Sequence, residues 1–193
     1  MAPLTHLLAS WIVAAHTTDN LRDRRLVSLA GIAPDLDGVG IFLDMANGSF
    51  ARGNLFYYPE YHHWLMHGLP AALVCCALLA FFAERKARVF ALAMLVFHLH
   101  LLCDLVGSRG PSPSDLWPIF YFGPISRTPM LIWSHQWGLD AWPNRILSIL
   151  LFAWAFCLSV KLGDSIVGVF NRRADRAVVP VLRKLAAGWR AIR

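Results

Sequence analysis

The sequence predicts an all-α, polytopic membrane protein with three longer apolar helices, two short N-terminal helices and an aromatic interfacial loop. Three observations carry that prediction. Hydrophobic residues make up 57% of the 193 residues and charged residues 16%, against roughly 45–50% and 25% in an average soluble domain. The excess falls in long runs: Trp64 to Ala83 holds no Asp, Glu, Lys or Arg, and Arg88 to Gly107 carries one carboxylate, Asp104, near its end. The charge is lopsided, too. From Lys161 onward eight basic residues face two acidic ones, so the net charge of +6 lies in the tail and the rest of the chain balances.

Taken in order, Leu4 to Ala15 is a short apolar helix that ends in the polar stretch His16 to Arg25. Leu26 to Ala33 resumes the apolar pattern and stops at Pro34, because a proline pushes the residue before it out of helical geometry. Ile41 to Glu60, with Gly48, Gly53 and Pro59, reads as a loop with one helical turn at most. The two long runs follow, joined at Glu84 to Arg88, each near the ~20 residues that cross a ~30 Å hydrocarbon layer. Gly107 to Pro143 is rich in Pro, Trp, Tyr and Gly, and aromatic residues favour the headgroup zone. Ile146 to Val160, at 15 residues, needs its flanks to span. In the tail Arg176, Arg183 and Arg190 recur at sevens opposite Val178, Leu182, Leu185, Trp189 and Ile192, the pattern of a helix lying on a membrane, with Pro180 interrupting it early. A membrane-embedded domain over 1–160 and a basic amphipathic tail over 161–193 are expected.

A basic balance of this kind also suits nucleic-acid binding. Here the charge adjoins apolar spans, so membrane lipids, anionic ones above all, are the expected partners and no nucleic acid is expected. No basic residue precedes the apolar stretch after Met1, so no cleavable signal peptide is expected. The cysteines, Cys75, Cys76, Cys103 and Cys157, lie inside apolar runs without a C-x-x-C pair and read as small apolar residues.

The histidines and aspartates carry the chemistry. His100 and Asp104 are four apart on a predicted helix and share one face. A lone carboxylate near a span is costly unless paired, hydrated or bound to metal. His63 and His67 are also four apart, at the predicted start of the preceding span, with His62 beside them as an alternative ligand. Asp35 and Asp37 are a carboxylate pair that seldom stays ionised without a cation nearby; the plainer alternative is that they cap a helix. His6 lies on the first helix. His98, two residues from His100, faces elsewhere and is structural; His16 is too far along its helix from His6 to share a site. Imidazole and carboxylate without thiolate suit zinc, with manganese or iron(II) as alternatives.

Basic residues mark the cytoplasmic side of a span. If Arg22 to Arg25, Glu84 to Arg88 and the tail are all cytoplasmic, then His6, Asp35, His63, His67, His100 and Asp104 gather near the outer face. That reading puts the site outward and the C-terminus inside; the expected location is a bacterial cytoplasmic (inner) membrane.

These residues resemble the YdjM-like membrane-bound metal-dependent hydrolases. The family pattern of an early His, Pro-Asp-x-Asp, a His-Arg-x-x-Thr-His motif, His-x-x-x-Asp in an apolar helix and a later Trp-Pro reads here as His6, Pro34-Asp-Leu-Asp37, His62-His-Trp-Leu-Met-His67, His100-Leu-Leu-Cys-Asp104 and Trp117-Pro118. His63 stands where the family has Arg, and Met66 where it has Thr. The resemblance implies a metal site built from His6, Asp35, Asp37, His62, His67, His100 and Asp104, and hydrolysis of a phosphoester or other ester of a lipid or headgroup-region substrate. Asp37, His62 or His63 could instead act catalytically, as the general base. Seven candidate ligands exceed what one four-coordinate ion with an open position needs, so two ions fit. The alternative is a non-catalytic metal-binding or metal-transporting membrane protein.

Overall fold

The computed structural model describes residues 1–53 and 55–191, the last three of these by backbone alone. Helix α1, Pro3–Thr17, carries Pro3 in its first turn, where the missing N–H has no helical partner to lose. Helix α2, Leu21–Ala30, begins earlier than the apolar pattern predicts. The Asn20 side chain accepts from the N–H groups of Arg22 and Asp23, so the basic run is helical. After Gly31 the chain bends by 58° into a 3-10 turn, Pro34–Val39, and helix α3, Gly40–Ala46. Helix α4, Tyr57–Tyr61, is anchored by buried Asp44, which accepts from the N–H groups of Phe56, Tyr57 and Tyr58. The expected loop over 41–60 thus contains two short helices tied by one carboxylate.

The run from Trp64 to Ala83 is not one helix. Helix α5 covers only Leu69–Phe81, 13 residues, about 20 Å and too short to cross alone. Residues 62–68 are turns because Gly68 is extended and lies against the carbonyls of Phe120, Tyr121 and Gly123, where a Cβ would come within 3.0 Å or less. Helices α6, Lys86–Gly107, and α7, Trp142–Leu162, are long and apolar enough to cross a membrane. Helix α7 gains the expected flanks: Pro143 lies in its first turn, and Gly163 ends it at φ 72°. Among the described residues two helices therefore qualify as spans on their own, rather than three; the bent α2–α3 pair reaches the required length and apolarity only when its two helices are taken together.

Between α6 and α7 the chain is mostly turns around a two-residue antiparallel pair, β1 (Ile119–Phe120) with β2 (Met130–Leu131). Helices α8, Val167–Phe170, and α9, Arg172–Ala191, complete the fold, and Pro180 sits inside α9 without ending it. Along the expected apolar stripe Val178 and Leu182 are half-buried and Leu185 is exposed. Ile192 and the side chains of Trp189 and Arg190 lie outside the described residues. The tail is tied to the bundle: Arg24 donates to Asp164 at 3.0 Å, Arg25 to the Val169 carbonyl and Arg183 to the Val160 carbonyl.

Small residues hold α6 between α2 and α5: Ala30, Ala72, Cys76 and Ala93 pack with Val27 and Phe97. Such residues let helices approach closely where lipid supplies no hydrophobic drive. Leu8, Trp11 and Ile12 of α1 pack on Ala155 and Leu158 of α7. The outer faces stay apolar and exposed, with Val74, Leu78 and Phe81 on α5 and Ile149, Leu150 and Phe152 on α7. Patches of this extent need a nonaqueous neighbour. The starts of α1 and α5 and the ends of α2 and α6 meet at one end of the bundle. At the other end Asp23 accepts from the N–H groups of Glu84 and Arg85, and Arg88 donates to the Thr17 carbonyl.

Candidate metal centre

The end formed by the start of α1 and the end of α6 gathers the residues that the sequence singled out. His6 comes from the first turns of α1, Asp35 and Asp37 from the 3-10 turn, His62, His63 and His67 from the loop before α5, and His100 and Asp104 from the last turns of α6. Two groups have mutually close ligand atoms: His6, Asp35, His100 and Asp104, and separately His62, His63 and His67. His63 and His67 do not share a helix face as expected. They converge because the loop folds back, with His63 held in the left-handed region at φ 68°, a conformation that costs a side-chain-bearing residue about 1–2 kcal/mol.

Hydrogen bonding decides which atoms face the centre. His100 Nδ1 lies 2.8 Å from the Gly31 carbonyl, which can only accept, so His100 donates there. His67 Nδ1 lies 2.8 Å from Asp37 Oδ2, an acceptor as well. Neutral imidazoles so held turn bare Nε2 lone pairs inward, and the two Nε2 atoms stand 3.3 Å apart. Asp104 Oδ2 lies 2.9 Å from His100 Nε2 and 3.4 Å from His67 Nε2, while its Oδ1 lies 3.1 Å from His6 Nε2. Asp35 Oδ1 is 3.7 Å from His100 Nε2, and its Oδ2 is buried with no hydrogen-bond partner. Lone pairs of two carboxylates and several imidazoles converging in a buried site repel one another unless positive charge sits among them. The cluster is therefore able to hold a metal ion. The Met1 amino group also donates to Asp104 and, at 2.7 Å, to Ser108.

Asp37 stands behind these histidines and belongs to neither convergent group. Its two oxygens accept from His62 Nδ1 at 2.8 Å, His67 Nδ1 and the Met66 N–H. A carboxylate on the far nitrogen of a ligating histidine sets the ring's tautomer and direction. Burial alone lowers the His67 pKa, but with no cation present the Asp104 and Asp37 carboxylates on either side outweigh it and push it up to about 9, so His67 Nε2 then carries a proton that a bound metal ion would displace to leave the lone pair bare. Burial holds His63 well below the usual imidazole range, and its Nδ1 has no partner. His98 lies off the site, bonded to the Met94 carbonyl and the Tyr121 hydroxyl. His16 packs near Trp154, and His135 is exposed in the aromatic segment between α6 and α7, residues 108–141, which forms a cap.

Four further residues shape the centre. Tyr58 stacks on His62 with centroids 4.7 Å apart, and burial, then the nearby carboxylates, push its phenol up to about 12. Trp117 stands edge-on to His62 and His63. Ser108 donates to Asp104 at 2.7 Å, one turn beyond it. Gly31 supplies the carbonyl that orients His100 and lies so close to α1 that a Cβ would fall 2.3 Å from Ser10 Cβ. The i+4 spacing of Ser108 from Asp104 was visible in the sequence; the roles of Gly31, Tyr58 and Trp117 depend on contacts between distant segments.

No curated protein and no solved structure matches the chain significantly. The family model described as YdjM inner membrane protein matches residues 1–167, which takes in every residue of the centre and both long apolar helices. The chain is an integral membrane protein that belongs to the YdjM inner membrane protein family.

Proposed function

We propose that the chain is a metal-dependent hydrolase that cleaves a phosphoester, or another ester, of a substrate lying in or near the lipid headgroups. The observation that carries this reading is the convergence of bare Nε2 atoms and carboxylate oxygens at one end of the bundle, beside a cavity of about 380 Å³. His6, Asp35, His100 and Asp104 would hold the ion, with His67 Nε2 next to them, and their nitrogen and oxygen donors suit zinc first, then manganese or iron(II). When bound, such an ion supplies Lewis acidity, which brings the pKa of water towards ~7 and polarises a phosphoryl or acyl oxygen.

The chain's own groups supply the rest. Asp37 holds the His62 Nδ1–H, which leaves His62 Nε2 as the base that takes a proton from water. His63, kept neutral by burial, is the second candidate for that role or a ligand of a second ion with His62 and His67. Tyr58 and Trp117 wall the histidines and exclude bulk water. Transport, the competing reading, calls for a site near the bilayer midplane, whereas this cluster lies at the helix ends. The basic residues at the opposite end support an outward-facing site with the tail in the cytoplasm against anionic lipid.

The test is metal analysis of the purified protein together with a turnover screen against phospholipids and isoprenoid phosphates in detergent. Metal-dependent release of product is expected. Asp104→Asn, which keeps size and hydrogen bonding but removes the charge, should lose bound metal and turnover by at least ~10-fold. His98→Ala, off the site, should keep its metal. Full metal content and turnover in Asp104→Asn would falsify the assignment.

A further inference from the structure

Among the described residues two cavities adjoin the centre, and their linings differ in kind. The first is lined by the polar groups of Asp35, Asp104 and Tyr58 together with the apolar Leu36, Val39 and Phe42. The second, of about 390 Å³, lies under the cap and holds Glu60, Asp115 and Arg127. They share His62, His63 and Trp117 as a common wall.

We infer that the site is built for a two-part substrate, a hydrocarbon chain joined to a phosphoester headgroup, with the chain lying along α3 and the headgroup reaching under the cap to Arg127. This deepens the hydrolase reading and rests on it.

The apolar residues that line the first cavity reach the surface. Leu36, Val39 and Phe42 are 58%, 55% and 66% exposed, on the bent segment that follows α2. In a bundle whose outer faces meet lipid, a hydrocarbon chain can enter sideways over these residues without leaving an apolar medium. The carboxylates of the centre line the same cavity, so an ester placed at Asp35 and Asp104 has its chain directed towards Phe42. The second cavity suits the other half of such a molecule. Among the described residues Arg127 is the only arginine or lysine side chain lining either cavity. Its guanidinium lies 4.7 Å over the Trp64 ring and donates to Glu60 at 2.7 Å. A guanidinium has five N–H donors in a rigid fork, so this one contact leaves donors for an oxygen of the headgroup.

A glycerophospholipid and a polyprenyl phosphate share this chemistry, and the experiment separates them. The full-length protein in mixed micelles is irradiated with each lipid carrying a diazirine at the far end of its chain, and the labelled residues are located by mass spectrometry. Labelling within residues 36–42 is expected, suppressed by excess unlabelled lipid but not by the same chain lacking a phosphate. The probe that meets this standard identifies the source. Phe42→Ser and Val39→Ser, at exposed positions, should each weaken competable labelling roughly tenfold, and Arg127→Ala should weaken competition by the phosphate-bearing lipid. Label scattered over the outer faces of α5 and α7, indifferent to competitor, would overturn the inference. Labelling at residues 36–42 without hydrolysis of any lipid keeps the chain site and removes the hydrolase reading; hydrolysis with scattered label does the reverse.

Discussion

Asp37 shows how one side chain can govern a centre without entering it. Its carboxylate accepts from His62, His67 and the Met66 N–H at 2.8, 2.8 and 3.0 Å. Asn at this position has one accepting oxygen and an NH2 that can only donate, so it cannot serve both Nδ1–H groups. Asp37→Asn should therefore let one imidazole change tautomer and lower metal affinity ~10–100-fold, with little change in helix content by circular dichroism. Metal titration decides it, and unaltered affinity would show that Asp37 does not position the ligands. In the sequence Asp35 and Asp37 look alike, two aspartates flanking a leucine. What separates them is that one has both oxygens engaged and the other keeps a buried oxygen without a partner.

At the level of elements, the crossing of α1 and α2 carries both stability and site geometry. Gly31 permits it, since a Cβ there would overlap Ser10 Cβ at 2.3 Å. Gly31→Ala should cost about 1–3 kcal/mol by overpacking. It should also reduce bound metal, because the displaced segment carries the carbonyl that orients His100, and its neighbour α1 carries His6. Ser10→Gly in the same chain removes the clashing atoms and should restore both thermal midpoint and metal content. A double variant that recovers neither would refute the steric account. The elements least legible in the sequence were those shaped by a partner. The start of α5 moved from Trp64 to Leu69 because Gly68 lies against the cap. Helix α2 began at Leu21 because Asn20 supplied a cap that the apolar pattern does not record.

Across the whole molecule the bundle separates two kinds of end. Imidazoles and carboxylates gather at one. At the other, Arg24 pairs with Asp164, Arg25 and Arg88 donate to backbone carbonyls, and Asp23 caps the α5–α6 turn. Since basic residues mark the cytoplasmic side, a C-terminal reporter that fluoresces only in the cytoplasm should light up in cells. A dark reporter at normal expression would reverse the orientation and place the centre inside.

By itself the sequence determined which segments could lie in lipid and which residue types could bind a cation. Both follow from local chemistry: long uncharged runs partition into hydrocarbon, and a carboxylate such as Asp104 beside His100 needs positive charge wherever it is. That the ligands gather at one end of the bundle was legible as well, because basic turns alternate with them along the chain. Only the tertiary structure decided which lone pairs meet. His6 and Asp104 are 98 positions apart, and His67 and His100 are 33 apart. The Nε2 atoms of His100 and His67 turn inward because Gly31 and Asp37, on other segments, occupy their Nδ1 sides. Distances of this kind depend on packing between helices through small residues such as Ala30, Ala72 and Ala93, and no periodicity along the chain encodes them.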